Sequence, residues 1–374
     1  MPSTIYLHIP FCRKACYYCD FHFSTSLALK KDVLEAMHQE ILLQKDYLTD
    51  KTLSSVYFGG GTPSVLSPAE IQAFLQTIQQ HFDILPTAEI TLEGNPDDLD
   101  SSYLQAIRQV GVNRLSIGIQ SFNEEHLKLM NRSHTATQAY QCVENARQVG
   151  FENFSIDLIY AVPAPNHESW LQDLTFALQL RPPHISAYCL TVEPNTVFGR
   201  WKDKNKFIPT TDEFAAEQFE FLVQKLGENG YEHYEISNFA LPNYHSRHNT
   251  NYWKKGNYLG IGASAHSYNG ESRQYNISNN ALYVKSLQKN EIPAEIEQLS
   301  RQDHINEYLL TALRTVWGVD LDFLQKKYNY TLPEKVLKTY LQAECVRITD
   351  NFLQLTPKGK LLADRISSDF FVID

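Results

Sequence analysis

The stretch Cys12-Arg13-Lys14-Ala15-Cys16-Tyr17-Tyr18-Cys19 places three cysteines at C-x3-C-x2-C spacing, directly after a short apolar run at residues 5–10. Thiolates are soft ligands that favour iron–sulfur clusters, zinc or copper. Such sites usually take four protein ligands, yet Phe21 stands where another cysteine could follow Cys19. A four-iron cluster held by three cysteines leaves one iron open to a substrate or cofactor. We favour this interpretation over a zinc site completed by His22 or by a remote ligand.

The 374-residue chain has the length for one large domain and a smaller one. Its 43 acidic and 33 basic residues give a net charge of −10, which argues against a general nucleic-acid binder. Cys142, Cys189 and Cys345 stand singly in apolar runs, so we expect core residues in a reducing, cytoplasmic compartment. The N-terminus lacks the layout of a secretory signal, and no stretch approaches the ~18 apolar residues of a membrane span.

Strand-like and helical patterns alternate through the first half of the chain. A helix is predicted within residues 27–48, and Ser67-Pro68-Ala69-Glu70 opens another helix with a capping box. This alternation predicts an α/β fold with a mostly parallel sheet or barrel, whose sites lie at the carboxyl ends of the strands. The predicted strands cover residues 5–10, 55–58, 89–93, 114–119, 154–159 and 184–190.

The rhythm changes from about Pro194 onward. A helix begins at residues 210–213, and an irregular, aromatic-rich stretch continues to about residue 274. The last part is predicted to be helical and to end in two short strands, at 346–349 and 352–355, before a final helix. Helices followed by a tight hairpin are typical of a winged-helix unit, although the acidic balance argues against DNA binding by it. The predicted domains are residues 1–193, 194–293 and 294–374.

Two further groups of residues carry chemistry. Gly59-Gly60-Gly61-Thr62-Pro63 follows a strand, and such a loop lets the backbone approach a ligand, although alone it is as often a turn. Glu93, Gln120 and Asp157 lie in or just beyond separate strands, so we expect them at one rim. Arg132 can clamp a carboxylate there through two nitrogens. Each alone would be an ordinary rim residue, but with the thiolates they indicate a zwitterionic, ribose-bearing ligand.

Together these motifs resemble the radical S-adenosylmethionine (SAM) superfamily, in the branch that contains oxygen-independent coproporphyrinogen III oxidase and heme chaperones. The resemblance implies a partial (β/α)6 barrel with a smaller, mainly helical, winged-helix-like C-terminal domain. It covers the first half of the chain and continues through residues 260–263 nearly to the end. The matching segments are the three cysteines, residues 59–63, 93–96, 114–122, 131–132 and 156–159.

The resemblance also implies a 4Fe-4S cluster and SAM as cofactors, with SAM cleavage as the expected chemistry and no catalytic side chain assigned. Cys12, Cys16 and Cys19 would bind three irons, and the amino and carboxylate groups of SAM would chelate the fourth. Positions that match the surroundings of this SAM are Tyr6, Tyr18, Gly60 and Glu93. Positions that match a second SAM site in the oxidase are Gly61, Thr62, Gln120, Arg132, Asp157 and Thr191.

Three features separate the chain from the oxidase. The oxidase continues its cysteine run to C-x3-C-x2-C-x-C, whereas this chain has Phe21 at the last position. The oxidase also has an N-terminal extension that helps form its substrate site, whereas 11 residues precede Cys12. Finally, residues 248–253 match the H-N-x-x-Y-W signature of the heme-chaperone group. The predicted heme-contact residues are His248, Asn249, Tyr252 and Trp253.

A histidine nitrogen can ligate heme iron, and flanking aromatic rings can wall a porphyrin. A loop histidine beside core aromatics is the alternative interpretation, and His245 and His266 are competing heme ligands. We expect a heme chaperone that hands heme to acceptor hemoproteins such as respiratory enzymes, with peripheral membrane association and a homodimer as further expectations. The alternatives are oxidative decarboxylation of coproporphyrinogen III to protoporphyrinogen IX, and a cluster-bearing structural or regulatory protein without turnover.

Overall fold

A large, mostly parallel sheet runs through the computed structural model, which describes residues 2–373. The six strands predicted in the first half are all present. The strands are β1 (Ser3–Ile9), β2 (Thr52–Gly60), β3 (Asp83–Gly94), β4 (Arg114–Gln120), β5 (Phe154–Tyr160), β6 (His184–Cys189), β7 (Glu232–Glu235), β8 (Asn238–Ala240), β9 (Tyr258–Ile261), β10 (His266–Tyr268), β11 (Ser272–Asn276), β12 (Ala294–Gln298), β13 (Val319–Asp320), β14 (Val346–Thr349) and β15 (Phe352–Leu355).

Within the described residues, twelve of these strands form one sheet in the order β12-β11-β10-β9-β1-β2-β3-β4-β5-β6-β8-β7. Strands β1 to β6 are parallel, and β9 adds to β1 in the same direction. The antiparallel strands β10 to β12 extend one edge, and β8 and β7 extend the other. Among residues 2–373, the edge strands β12 and β7 do not pair with each other, so the sheet is an open, partial barrel, as expected.

Helices connect the parallel strands, and several begin with the caps that their sequences predict. Ser67 caps α2 and forms the expected capping box with Glu70, with Pro68 in the first turn. The helices are α1 (Lys30–Leu43), α2 (Pro68–Gln79), α3 (Ser101–Gln109), α4 (Glu124–Leu129), α5 (Ala136–Val149), α6 (Glu168–Leu180), α7 (Val197–Asp203), α8 (Asp212–Glu228), α9 (Arg247–Trp253), α10 (Asn280–Leu287), α11 (Arg301–Leu313), α12 (Leu321–Tyr328), α13 (Glu334–Gln342), α14 (Pro357–Lys360) and α15 (Ala363–Asp369).

The large sheet buries an apolar face against its helices. Side chains alternate along a strand, so every second residue of β1 points the same way. Ile5, Leu7 and Ile9 are fully buried, and they share one core with Val33 and Met37 of α1. Burying a side chain of this size contributes roughly 1.5–3 kcal/mol, so this face supplies most of the stability of the sheet.

The opposite face of the same strands is polar. The register places Tyr6 beside Tyr57 and Glu93 beside Ser116, and Asp157 lies two residues beyond the β5 partner of Ser116. We call these five residues the polar face. Hydroxyl and carboxyl groups here are partly or fully enclosed by protein, so the face is suited to a polar ligand rather than to apolar packing.

The C-terminal part has its own small core and a second sheet in the order β13-β15-β14. The predicted hairpin of β14 and β15 is confirmed. Two expectations are wrong: the stretch before residue 274 holds five short strands rather than irregular chain, and residues 294–298 are a strand of the large sheet rather than helix. The division into three domains stays a prediction. None of the helices within residues 2–373 has the length and apolarity needed to cross a bilayer.

Candidate cluster and cofactor site

The cysteine loop begins where β1 ends, at the carboxyl edge of the sheet. The backbone N–H of Cys12 donates to the Ser24 carbonyl at 3.0 Å, and the N–H of Ser24 donates back to Pro10 at 2.9 Å. These two bonds close the loop across its base. Cys12 is buried at the start of the loop, whereas Cys16 and Cys19, further along it, are partly exposed.

A segment after α4 supports the cysteine loop from one side. The N–H of Tyr17 donates to the Met130 carbonyl at 3.1 Å, and the Asn131 side-chain amide donates to Ala15 at 2.7 Å. Asn131 itself has a left-handed backbone, with φ +59°, a conformation that asparagine adopts more readily than most residues. This turn presents the next residue, Arg132, to the cysteines.

Arg132 joins the loop to two neighbouring strand ends. One terminal nitrogen donates to the Cys16 sulfur at 3.2 Å and lies 3.5 Å from the Tyr18 hydroxyl. The other donates to the Asn95 side chain at 2.7 Å and to the Gly118 carbonyl at 2.6 Å. The Nε of Arg132 is buried without a protein partner, so one donor remains for a polar or anionic group at this site.

Two of the thiols, Cys12 and Cys19, lie in surroundings that keep them protonated until they bind a metal. Burial raises the pKa of Cys12 to about 12 and that of Cys19 to about 11. The hydroxyl of Thr62 donates to the Cys12 sulfur at 3.3 Å and partly offsets the effect. Because the bound form of a cysteine ligand is the thiolate, loading this site would release protons.

The zinc alternative is not favoured by the geometry. Within residues 2–373, no group of three or more His, Cys, Asp or Glu side chains is arranged to hold a single metal ion. His22, its proposed fourth ligand, instead uses Nε2 in a 2.8 Å hydrogen bond with Asn280. Of the three isolated cysteines, Cys142 and Cys345 are buried as expected, but Cys189 is exposed at the end of β6, so its assignment to the core was wrong.

The glycine loop packs directly against the cysteine strand. The N–H of Gly61 donates to Ile9 at 2.9 Å, and the N–H of Thr62 donates to Phe11 at 2.8 Å. A Cβ on Gly61 would lie 2.8 Å from the Phe11 carbonyl oxygen. The glycines are therefore needed for contact between two protein segments, and two of the N–H groups expected to face a ligand are already bonded.

Gly60 needs its conformational freedom at the end of β2. Its φ is +106°, and a Cβ there would lie 2.8 Å from Nδ1 of His8. Nε2 of His8 donates to the His22 carbonyl at 2.9 Å, so Nδ1 of the neutral ring accepts from the Tyr6 hydroxyl at 3.2 Å. The sequence analysis missed His8, although its position two residues after Tyr6 could have placed it on the polar face.

The polar face holds two carboxyl groups in unusual protonation equilibria. The Tyr57 hydroxyl donates to Glu93 at 2.7 Å, and burial raises the pKa of Glu93 to about 7. Asp157 accepts from Ser116 at 3.3 Å, and burial raises its pKa to about 6. Such carboxyl groups gain from a bound cation or hydroxyl, which is what an amino-acid ammonium or a ribose offers.

The remaining predicted residues lie at the carboxyl ends of β4 and β6. Gln120 ends β4 with a left-handed backbone, φ +68°, and its side-chain nitrogen lies over Gly118, the residue that accepts from Arg132. Non-glycine residues are held in this conformation at a cost of roughly 1–3 kcal/mol, often at ligand sites. Thr191 lies exposed beyond β6.

His248, predicted to contact heme, packs against the polar face toward the amino ends of the strands, with its ring centroid 6.4 Å from that of Tyr6. Its partner Ser55 is five residues before Gly60 on β2, about 16 Å along the strand. Nδ1 of His248 bonds to Ser55 at 2.7 Å and Nε2 bonds to the Tyr252 hydroxyl at 3.0 Å. The ring stacks on Tyr57 with centroids 4.8 Å apart, and the side chain is 1% exposed.

This position offers heme iron no free nitrogen at His248. Burial lowers the pKa of His248 to about 3, so its imidazole is neutral and acts as a bridge between two hydroxyl groups. Ser246 caps α9, its hydroxyl accepting from the N–H of Asn249, and Trp253 packs under the Arg314 guanidinium at 5.4 Å from the ring centroid. The heme role of the four residues stays a prediction, and the contacts give His248 a structural role.

Comparisons with known proteins agree with the geometry. The sequence profile of the Radical SAM superfamily matches residues 6–177, and that of the HemN C-terminal domain matches residues 299–362. Heme chaperone HemW of Lactococcus lactis is 33% identical over 381 residues, covering 100% of this chain and 98% of that protein. Heme chaperone HemW of Escherichia coli is 38% identical over 270 residues, covering 71% of this chain and 70% of that protein.

Among solved structures, coproporphyrinogen III oxidase (HemN) from Escherichia coli superposes with a TM-score of 0.86, covering 99% of this chain and 90% of that chain at 24% identity. That likeness confirms the α/β radical-SAM fold with its C-terminal helical domain. The chain belongs to the radical SAM superfamily and, within it, to the family of the heme chaperone HemW. Membership implies a 4Fe-4S cluster and SAM as cofactors.

Proposed function

We propose that the protein is a heme chaperone that binds heme and transfers it to acceptor hemoproteins, such as respiratory enzymes, with a 4Fe-4S cluster and SAM. The observation that carries the proposal is the match over the whole chain to proteins named heme chaperone HemW. A cytoplasmic location, peripheral membrane association and a homodimer belong to the same proposal.

In this proposal Cys12, Cys16 and Cys19 hold three irons of the cluster. The two closing hydrogen bonds of the loop and the contact of Arg132 with Cys16 support it, because they hold Cys12 and Cys16 at the carboxyl edge of β1. Thr62 donates to one sulfur and Arg132 to another, and donors to sulfur stabilise the thiolate that a metal requires.

SAM is proposed to lie between the cluster and the polar face. When bound, cluster and SAM together supply one-electron chemistry that the side chains alone cannot. Glu93 and Tyr6 would hold its polar groups beside Gly60, and Tyr18 would contact it from the cysteine loop. Counting the SAM molecules bound per chain tests the second SAM site. Its residues would be Gly61, Thr62, Gln120, Arg132, Asp157 and Thr191.

Phe21 supports the chaperone over the oxidase. It stands where the oxidase motif has a further cysteine, and its side chain is 73% exposed beside the cysteine loop. An exposed phenylalanine at this point offers an apolar contact and no metal ligand. The chain therefore resembles the oxidase in fold while differing from it beside the cofactor.

The test starts with anaerobically reconstituted protein. Hemin titration, followed by the Soret band, should show saturable binding, and mixing with a heme-depleted respiratory enzyme should restore the activity of that enzyme. Replacing Cys12, Cys16 and Cys19 by alanine should abolish iron–sulfur absorbance and sulfide content. Absence of hemin binding, or robust SAM-dependent conversion of coproporphyrinogen III, would overturn the proposal.

A further inference from the structure

We propose that heme binds on the rim beside the cysteine loop, with His266 as the iron ligand. This inference rests on the proposed heme-chaperone function and places its ligand. We define the rim as Phe21, His266, Tyr275, Ile277 and Leu282.

His266 has the properties that a heme ligand needs. It is an exposed residue of β10, and within the described residues neither of its ring nitrogens has a hydrogen-bond partner. Its ring meets Tyr275 edge to face at a centroid distance of 5.3 Å, which limits how it can turn. Burial of part of the ring, together with the charge of Arg273, lowers its pKa, so the imidazole is neutral at pH 7 and able to ligate iron.

Other histidines near the site have one or both ring nitrogens hydrogen-bonded. His8 uses both ring nitrogens, and His248 does the same while buried. His22 bonds to Asn280 and His245 bonds to Glu232, each through Nε2. Nε2 is the nitrogen farther from the backbone and so the more accessible one to a bulky ligand such as heme.

Strand register places His266 on the same side of the sheet as the polar face. Tyr258 pairs with Thr4 on β1 and with Tyr268 on β10, and paired residues share a face. His266 lies two residues before Tyr268, so it continues the row that begins with Tyr6. The rings of His8 and His22 are stacked with centroids 6.3 Å apart, so the segment that carries Phe21 lies beside this row.

The aliphatic and phenyl side chains of the rim are exposed. Phe21 is 73% exposed, Leu282 is 46% exposed and Ile277 is 37% exposed. The 2.8 Å hydrogen bond between His22 and Asn280 ties the segment that carries Phe21 to the start of α10, which carries Leu282. Ile277 follows β11 two residues after Tyr275, on the strand that pairs with His266.

This combination selects an iron porphyrin. A neutral imidazole with free nitrogens offers an axial ligand, and flanking aromatic and aliphatic groups cover the apolar face of a macrocycle. A small metal ion would not need the apolar groups, and a peptide would not need the imidazole. A second copy of this chain could also cover an exposed apolar rim, and the test separates that outcome.

The test uses the full chain, reconstituted anaerobically with cluster and SAM, and hemin as the probe. His266→Ala should weaken hemin binding by about tenfold or more and remove the spectrum of a histidine-ligated heme, since an axial bond is lost. His167→Ala is the matched control: it removes a partly exposed histidine that bonds to Glu217 of α8, away from the site, and should leave hemin affinity within about twofold. Both variants should retain wild-type iron content and circular dichroism.

A second variant tests the apolar half of the site. Phe21→Asp should weaken hemin binding several-fold while retaining the iron content of the wild type. If wild type binds hemin but His266→Ala keeps its affinity and spectrum, His266 is not the ligand and the inference fails alone. If Phe21→Asp changes the oligomeric state but not hemin affinity, the rim is an interface between copies, which also overturns it. If wild type binds no hemin, the proposed function fails first.

Discussion

The substitution His248→Ala distinguishes a structural histidine from a heme ligand. The side chain bridges Ser55 at 2.7 Å and Tyr252 at 3.0 Å, and its ring stacks on Tyr57. Ser55 is 0% exposed, so its hydroxyl would be left buried without this partner at a cost of about 1–3 kcal/mol. Truncating a buried ring leaves a cavity, for which aromatic-to-alanine changes cost about 3–5 kcal/mol when the site does not collapse.

Because histidine is smaller than phenylalanine, and the two costs share the same cavity, we expect a loss of about 4 kcal/mol in the free energy of unfolding. Urea unfolding of the ligand-free chain, followed by circular dichroism at pH 7, measures it. His248→Gln keeps most of the volume and a group able to reach one hydroxyl, so it should lose less. His266→Ala removes an exposed ring and should stay within about 0.5 kcal/mol of wild type.

A loss under about 1 kcal/mol for His248→Ala would refute this reasoning, since neither a buried bridge nor a stacked ring could then be present. A histidine held ready for heme would give the reverse pattern, with little loss of stability and a large loss of hemin affinity.

Three further changes test the site itself. Arg132→Lys keeps the charge but cannot reach a sulfur and two oxygens at once, so iron per chain after gel filtration should fall several-fold. Burial raises the pKa of Glu93 to about 7, so the folded chain loses stability as the pH rises above the ordinary carboxyl range and through 7. Glu93→Gln cannot ionise and should therefore unfold at higher urea than wild type at pH 8, but not at pH 4. Gly60→Ala should lower the free energy of unfolding by about 1–3 kcal/mol more than Gly230→Ala, which has the same sign of φ but open space around its Cβ. Equal urea midpoints for the two glycine variants would contradict the reading of Gly60 as sterically confined.

Local sequence patterns were sufficient for the parallel part of the fold. Strands such as β4 and β5 are largely buried and are followed by helices, and Asn123 caps the helix after β4, so periodicity and a cap signal this part of the fold. The strands between residues 232 and 276 were not predicted, because they are three to five residues long and mix aromatic with polar residues. Glycine has a low strand propensity, yet Gly260 lies in β9. A larger residue would not fit there, because a Cβ would lie 2.0 Å from the His266 carbonyl oxygen.

The candidate site was likewise predicted only in part. The cysteine spacing and the glycine run are local in sequence, so they could be read directly, and the resemblance gave them roles. The partners of those residues are not local: Arg132 reaches a sulfur 116 residues away, and His248 reaches a hydroxyl 193 residues away. A short signature around His248 indicates a family but cannot show which nitrogen is already bonded.

The two faces of the sheet explain why a chaperone could keep an oxidase-like fold. The apolar face holds the helices in place and with them the cysteine loop at the carboxyl edge of the sheet. That loop can therefore be retained while the neighbouring surface changes. Groups on the polar face, such as Glu93, are buried at a cost in the ligand-free chain that a bound polar ligand offsets. The rim around Phe21 and His266 lies outside both constraints, because its side chains are exposed and carry little of the core. Substitutions at the rim, where we propose that heme binds, can therefore change the bound ligand and leave both the core and the cluster loop intact.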